Sequence, residues 1–216
     1  MLSVEAGGES FVLLPERAVW WPARRSLLVA DAHVGKAVSF RRWGVPVPRG
    51  TTSETLDLLT QLVERHAAER IVFLGDFLHS RRAHAPATLA ALARWRSRHA
   101  ALQLSLVRGN HDDRAGDPPA ALGFEVVDEP LRVDGIALCH YPKPRAGAYV
   151  LAGHLHPCST LGGRAHDRVR LPCFHFGTEV GVLPAFGSFT GMHPMAAGDG
   201  ARIFVVAGES VVELPR

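Results

Sequence analysis

Five short polar clusters hold the residues of this sequence that could do chemistry. Asp31-Ala32-His33 follows the apolar run SLLVA, Gly75-Asp76 follows RIVFL, and Gly109-Asn110-His111-Asp112 follows LQLSLV. His140 follows IALC, and Gly153-His154-Leu155-His156 follows AYVLA. Asp, His and Asn offer hard oxygen and imidazole nitrogen donors. Such a set suits Mn, Fe, Zn or a similar divalent ion rather than a thiolate site. His154 and His156 stand at i and i+2, positions that share one face of a strand. Asp31 and His33 have the same spacing. Glycines before Asp76, Asn110 and His154 permit sharp turns or close backbone approach. Asp31, His33, Asp76, Asn110, His140, His154 and His156 are more ligands than one tetrahedral ion needs. They suit two ions about 3.5–4 Å apart sharing a carboxylate, as two-metal hydrolases use. Each motif alone is common. The ordered set, every member after a β-like run, is what points to a metal site.

The elements that must position these clusters alternate in type. Continuous apolar runs over 26–30, 70–74 and 102–107 read as strands buried on both faces. Helices are expected over 51–68 and 86–99. The first has Thr51 and Glu54 as a capping box and Leu56, Leu59, Leu62 and Val63 on one face; the second has Pro86 near its first turn. Strand–helix alternation of this kind builds βαβ units and a parallel sheet. Short strands at 11–14 and 17–20 precede them. Beyond residue 120 the pattern turns to short strands at 124–127, 131–133, 136–139, 149–152, 169–176, 203–207 and 211–214. Asp134-Gly135 is a two-residue hairpin signal. Five clusters at the carboxyl ends of strands imply one shared site, where ligands bind in open α/β sheets.

Composition narrows the classes. The 216 residues carry 12 His but only 3 Cys, a formal charge of +3 and 47% hydrophobic residues. That is ordinary globular composition for a single domain, 1–216, and it excludes a disulfide scaffold and a disordered chain. The mild positive charge permits a phosphate polymer as partner without demanding one. No signal peptide or membrane span is expected, so the expected compartment is the cytoplasm.

The motif series, in this order, resembles the calcineurin-like metallophosphoesterases. The resemblance runs from Asp31 to His156 by motif and over the chain by fold. It implies an α/β fold, a four-layer α/β/β/α sandwich of two packed mixed sheets. It implies that Asp31, His33, Asp76 and His156 hold a first ion. Asp76, Asn110, His140 and His154 would hold a second, with Asp76 bridging. His111 matches the family's catalytic histidine, and Asp112 the carboxylate beside it that orients the imidazole. No motif position departs from the pattern, which argues against the ligand-depleted, non-enzymatic scaffolds of the superfamily. FRRWGVPVPRGTT, GDFLHSR and LPAFGSFTG also look like the compact bacterial phosphoesterases associated with DNA ligases. That group is regarded as DNA-damage-response endonucleases or phosphodiesterases.

The expected function is therefore a metal-dependent phosphodiesterase or endonuclease acting on DNA in bacterial repair. Two divalent ions, manganese ahead of iron or zinc, would clamp the phosphate and acidify a shared water to a hydroxide near neutral pH. His111 would protonate the leaving oxygen or stabilise phosphoryl charge, and Asp112 would fix its orientation. Arg41, Arg42, Arg49 and Arg81 are candidate phosphate contacts, because Arg forks onto phosphate. Trp43 could stack on a base. His79, three residues after Asp76, is a candidate substrate or ligand contact, with a structural role as its alternative. Association with a DNA ligase and a helicase follows from the resemblance alone. The alternative activity is hydrolysis of small phosphodiesters such as cyclic nucleotides, or of phosphomonoesters, since one metal centre serves all of them. A non-enzymatic interaction module is the remaining class. The oligomeric state is open.

Overall fold

A computed structural model describes the chain except for positions 43, 45–50, 163–167, 189, 196, 197, 199 and 216, and for the side chains of Arg41 and Arg42. The expected Arg49 and Trp43 contacts, and those of the Arg41 and Arg42 side chains, lie outside the described residues.

The first sheet contains β1 (Leu2–Ala6), β2 (Glu9–Leu13), β3 (Val19–Trp21), β4 (Ser26–Val29), β5 (Arg70–Leu74), β6 (Gln103–Val107) and β7 (Phe124–Val127), in that spatial order. β1 to β4 form an antiparallel meander, and β4 to β7 are parallel. Among the described residues four α-helices interrupt the strands: α1 (Lys36–Arg42), α2 (Thr51–His66), α3 (Pro86–Arg98) and α4 (Asn110–Ala115). The central strands read as unbroken apolar runs because both of their faces are covered. Leu27, Val29, Ile71, Phe73, Leu104 and Leu106 point to the helix side, packing with Leu59, Leu62 and Leu92. Leu28, Val72, Leu74 and Val107 point the other way, into the space between the sheets. Truncating one such leucine to alanine costs about 2–5 kcal/mol.

The second sheet is built from β8 (Leu131–Val133), β9 (Ile136–Leu138), β10 (Tyr149–Ala152), β11 (Pro157–Gly162), β12 (Arg168–Phe176), β13 (Val180–Val182), β14 (His193–Pro194), β15 (Arg202–Ala207) and β16 (Ser210–Glu213). Its main path runs β14-β11-β12-β13-β10-β9-β8, with β15 on β12 and β16 on β15. It is mixed: β9, β10 and β13 are parallel neighbours, while β12 runs antiparallel to β13. Val133 pairs with Ile136 across Asp134-Gly135, the hairpin its sequence signals. Ile136, Leu138, Leu151, Phe174 and Phe204 from this sheet complete the core between the sheets.

Two packed mixed sheets with helices, the expected α/β architecture, are thus present. The described residues place their α-helices before residue 116. Beyond Ala115 their only helical element is a 3-10 turn at Ala120–Leu122. Short β-rich segments there offer no 3.6-residue apolar stripe. Thr51 is the first residue of α2 rather than its cap, and its carbonyl accepts from Thr55 Oγ1 at 2.9 Å. No helix among the described residues is long and apolar enough to cross a membrane.

Candidate metal centre and active site

All five clusters meet where the carboxyl ends of the two sheets adjoin. Asp31 and His33 follow β4, Asp76 follows β5, Asn110 and His111 open α4 after β6, His140 follows β9, and His154 and His156 follow β10. The loops after β4 and β5 run side by side: Asp31 N–H donates to Gly75 O (3.2 Å) and His33 N–H to Asp76 O (2.9 Å). The segment around LPAFGSFTG joins the sheets at this point. Leu183 N–H donates to Ala152 O at the end of β10, and Phe186 N–H to Ala30 O beyond β4, both at 2.8 Å.

The backbone is strained at five of the candidate ligands. Asp31, His33, Asp76, His154 and His156 all have positive φ, between 46° and 71°. A side chain in the left-handed region costs of order 1–3 kcal/mol, and such residues gather at functional sites. Here the turn aims successive side chains into one space.

Backbone carbonyls set the tautomers. His111 Nδ1 lies 2.7 Å from His79 O, His140 Nδ1 3.1 Å from Leu74 O, and His156 Nδ1 3.0 Å from Gly191 O. A carbonyl only accepts, so each Nδ1 carries the hydrogen and each Nε2 is left for the site. The Nε2 atoms converge on carboxylates: His140 to Asp76 Oδ1 at 3.6 Å, His156 to Asp31 Oδ1 at 3.5 Å, and His111 to Asp76 Oδ2 at 3.9 Å. His140 Nε2 is also 3.1 Å from Asn110 Oδ1 and 3.0 Å from His154 Nδ1. Backbone N–H groups hold the carboxylates: His154 N–H donates to Asp31 Oδ2 and His111 N–H to Asp76 Oδ1, both at 2.8 Å.

These residues fit divalent cations. Asp31 Oδ1 and His33 Nδ1 are buried without a hydrogen bond, a state that ordinarily costs about 1–3 kcal/mol each. Asp31, His33 and His156 form one group of donors within 4.8 Å of one another, and Asp31, Asp76 and His140 form another. Separations near 3.0–3.6 Å around His140 Nε2 are those expected of ligands sharing an ion with bonds of about 2.1 Å. The two groups share Asp31, while Asp76 reaches the His140 and His111 side.

Electrostatics follow burial. His33 is held neutral, well below the ordinary imidazole range, by burial and then by Lys36 and neighbouring imidazoles. Burial also lowers His154, and it raises Asp76 against the pull of His140. For His156, burial opposes its charge, but Asp31 and the Gly191 carbonyl outweigh it, so its pKa is raised.

Asp112 departs from expectation. Its carboxylate is hydrogen-bonded to backbone rather than to the His111 ring: Oδ2 accepts from Gly109 N–H and Oδ1 from Leu78 N–H, each at 3.0 Å. Asp112 is the third residue of α4, where a side chain folds back onto the residue capping the helix. The orienting contact of His111 is instead the carbonyl of His79. Burial pushes the Asp112 carboxyl up to about 6.

His79 does reach the site. Its ring stacks on His111 (centroids 5.0 Å, 22°) and meets His33 edge-on at 5.3 Å, and burial lowers its pKa to about 4. His33, His79 and His111 form a third close donor group. Arg81 sits on the rim, exposed, with Nε donating to Arg114 O at 3.2 Å.

Three contributors went unnoticed in the sequence. Lys36, at the start of α1, has its pKa lowered by burial while Asp31 and Asp76 raise it. Tyr141 lies against the His140 and His154 rings, at 4.9 and 4.7 Å. Glu129 grips the backbone of the same stretch: its Oε2 accepts from His140 N–H and Tyr141 N–H, both at 2.9 Å. The D-x-H-x-x-K spacing could have flagged Lys36; nothing local flags Glu129.

Residues 24–209 match the family model described as calcineurin-like phosphoesterase. Among solved structures, the chain is similar to the Pseudomonas putida nuclease MPE, with 46% sequence identity, 99% of each chain covered and a TM-score of 0.88. No curated protein matches.

Proposed function

Because the chain belongs to the calcineurin-like phosphoesterase family, we propose that this metal-dependent phosphoesterase is a phosphodiesterase that cuts nucleic acid. DNA is the proposed substrate, two divalent ions, manganese first, the cofactors, and DNA repair in the cytoplasm the setting. Cooperation with a ligase and a helicase belongs to the same proposal. The observation that carries the reading is the convergence of Asp31, His33, Asp76, Asn110, His140, His154 and His156 beside a histidine whose tautomer is set. Similarity to a protein described as a nuclease supports the polynucleotide part.

Two ions held by these residues would supply Lewis acidity toward phosphate oxygens and acidify water. The protein supplies the rest. The His79 carbonyl commits Nδ1 of His111, so any proton His111 transfers passes through Nε2, the atom facing Asp76. Nε2–H donates to the leaving oxygen or to the charge growing on the phosphoryl group. Asp112 ties Gly109 to Leu78 and so fixes the start of α4, from which Asn110 and His111 project. The chemistry needs no protein nucleophile. The three cysteines are free and buried, and burial pushes the Cys173 thiol up to about 12.

An activity panel on Mn²⁺-loaded protein tests the proposal, with a phosphomonoester, a simple diester, a cyclic nucleotide and supercoiled plasmid. The reading expects diester hydrolysis and plasmid nicking. A preference for the monoester contradicts it, and diester turnover without DNA cleavage moves the substrate to small phosphodiesters. Absence of any turnover leaves a binding module.

A further inference from the structure

Arg17 lies in the tight turn between β2 and β3. The turn is closed by Arg17 N–H to Leu14 O and Leu14 N–H to Ala18 O, both 3.0 Å. Arg17 has φ +65°, a conformation disfavoured for any residue with a Cβ. The adjacent Glu16 pairs through Oε1 with Arg65, and its Oε2 has no hydrogen-bond partner. Among the described residues, no carboxylate lies within 4 Å of the half-buried Arg17 guanidinium and no group accepts its hydrogens. Burial lowers its pKa and no neighbouring carboxylate opposes this. An unpaired, partly desolvated guanidinium is an unusual thing to keep, since Arg gains most from forked contact with an oxyanion.

The surroundings say where such an anion would come from. Arg17 lines a pocket of about 210 Å³ with His156, Pro157, Pro172, Thr190 and Met192. His156 belongs to the candidate metal centre: its Nε2 faces Asp31 Oδ1 at 3.5 Å, and its Nδ1–H donates to Gly191 O. The pocket therefore opens from the back of one proposed ligand, with a cation on its wall and apolar Pro and Met surfaces beside it. A group that fills it would touch His156, one of the residues proposed to hold an ion. The volume is small for a whole drug-sized ligand and suits one phosphate with its sugar.

We propose that this pocket is an anion subsite in which Arg17 takes the phosphodiester group next to the scissile one in a polynucleotide strand. The inference rests on the phosphodiesterase reading above and adds to it a determinant of polymer over small substrate. Pro157, Pro172 and Met192 would cover the sugar between the two phosphates. A free inorganic phosphate shares the chemistry, so the test separates the two.

The experiment compares wild type with Arg17→Ala, Arg17→Gly and Arg17→Lys, all Mn²⁺-loaded, on a short DNA oligonucleotide and on bis(p-nitrophenyl) phosphate. Inorganic phosphate serves as inhibitor. Glycine suits the left-handed backbone, so the Gly variant removes the guanidinium without a new strain. In both the Ala and Gly variants, KM for the oligonucleotide should rise about tenfold more than KM for the small diester, with kcat little changed. The dependence of oligonucleotide affinity on salt should become shallower by about one ion, and Lys should recover part of the loss. Unchanged oligonucleotide KM in active Ala and Gly variants overturns the inference. So does an equal loss on both substrates, a loss confined to the Ala variant, or weakened phosphate inhibition alone. A wild type that hydrolyses the small diester but not the oligonucleotide overturns the nuclease reading itself, and the subsite with it.

Discussion

Gly109 leaves room for the Asp76 carboxylate: a Cβ added at Gly109 would run into Asp76 Oδ1 and stand 2.6 Å from the Asp76 backbone nitrogen. The same interlock recurs. A Cβ on Gly153 would lie 2.6 Å from Asp31 Oδ2, and one on Gly75 would strike the His140 ring. The glycines of these three motifs thus make way for a candidate ligand supplied by another motif. Gly109→Ala should displace Asp76 and weaken Mn²⁺ binding by about tenfold or more, with a smaller effect on melting. Isothermal titration and a thermal melt of the same preparation check this; unaltered Mn²⁺ affinity would contradict it.

His111→Ala should keep both ions and lose about 10²–10⁴-fold in diester turnover, the usual range for a lost general acid. Elemental analysis of the purified variant beside its kcat separates this from a ligand role. Full turnover in metal-replete protein would remove His111 from the chemistry.

Asp112 gives a pH signature. Its folded-state pKa, about 6, is above the ordinary Asp value of 3.8, so the folded protein holds a proton that the unfolded chain has lost. Stability contributed by this group is fully present below about pH 4 and falls as pH rises through about 6. The loss is on the order of 3 kcal/mol. In metal-free protein, wild type should therefore lose stability relative to Asp112→Asn between pH 4 and 6.5, with a constant gap above pH 7. Urea melts at each pH measure it, and a gap that moves the opposite way refutes the assignment.

Metal binding should release protons. Asp31 and the Gly191 carbonyl outweigh the burial of His156 and raise its pKa, and burial raises that of Asp76, so both retain protons to higher pH than free side chains. An ion requires both deprotonated. Mn²⁺ affinity should increase from pH 6 to pH 8. Titrations in buffers of different ionisation heat should show net proton release, and no release or uptake would count against these ligands.

Glu129 should act through His140. Besides the two backbone N–H groups it accepts, its Oε1 pairs with Arg145 at 2.7 Å. Glu129→Ala should weaken the second of two Mn²⁺ binding steps by about 10–100-fold, the range for lost outer contacts to a ligand, and spare the first. Glu129→Gln, which keeps an acceptor, should lose less.

Much of the candidate site is legible in the sequence because the candidate ligands follow strands whose apolar runs mark their own ends. SLLVA, RIVFL and LQLSLV are buried on both faces, so the polar residue after each emerges at one edge. What is not legible depends on partners distant in the chain. His111 is oriented by a carbonyl 32 residues away, and Asp112 reaches 34 residues back to Leu78. The seven-residue α1 is too short to show a period, and α4 hides inside the motif G-N-H-D. Two histidines outside the motifs have local contacts: His99 Nε2 meets Thr60 Oγ1 at 3.0 Å, and His66 stacks on Trp20.

The central claim is that these residues hold two ions and that diester cleavage depends on them. Titrating Mn²⁺ into chelator-stripped protein, while reading bound metal and diester hydrolysis in the same samples, tests it most directly, with Asp76→Ala as comparison. The account predicts two ions per chain, turnover that grows as the second site fills, and loss of both features in Asp76→Ala. Full turnover in stripped protein, or in Asp76→Ala with no ion bound, would contradict it.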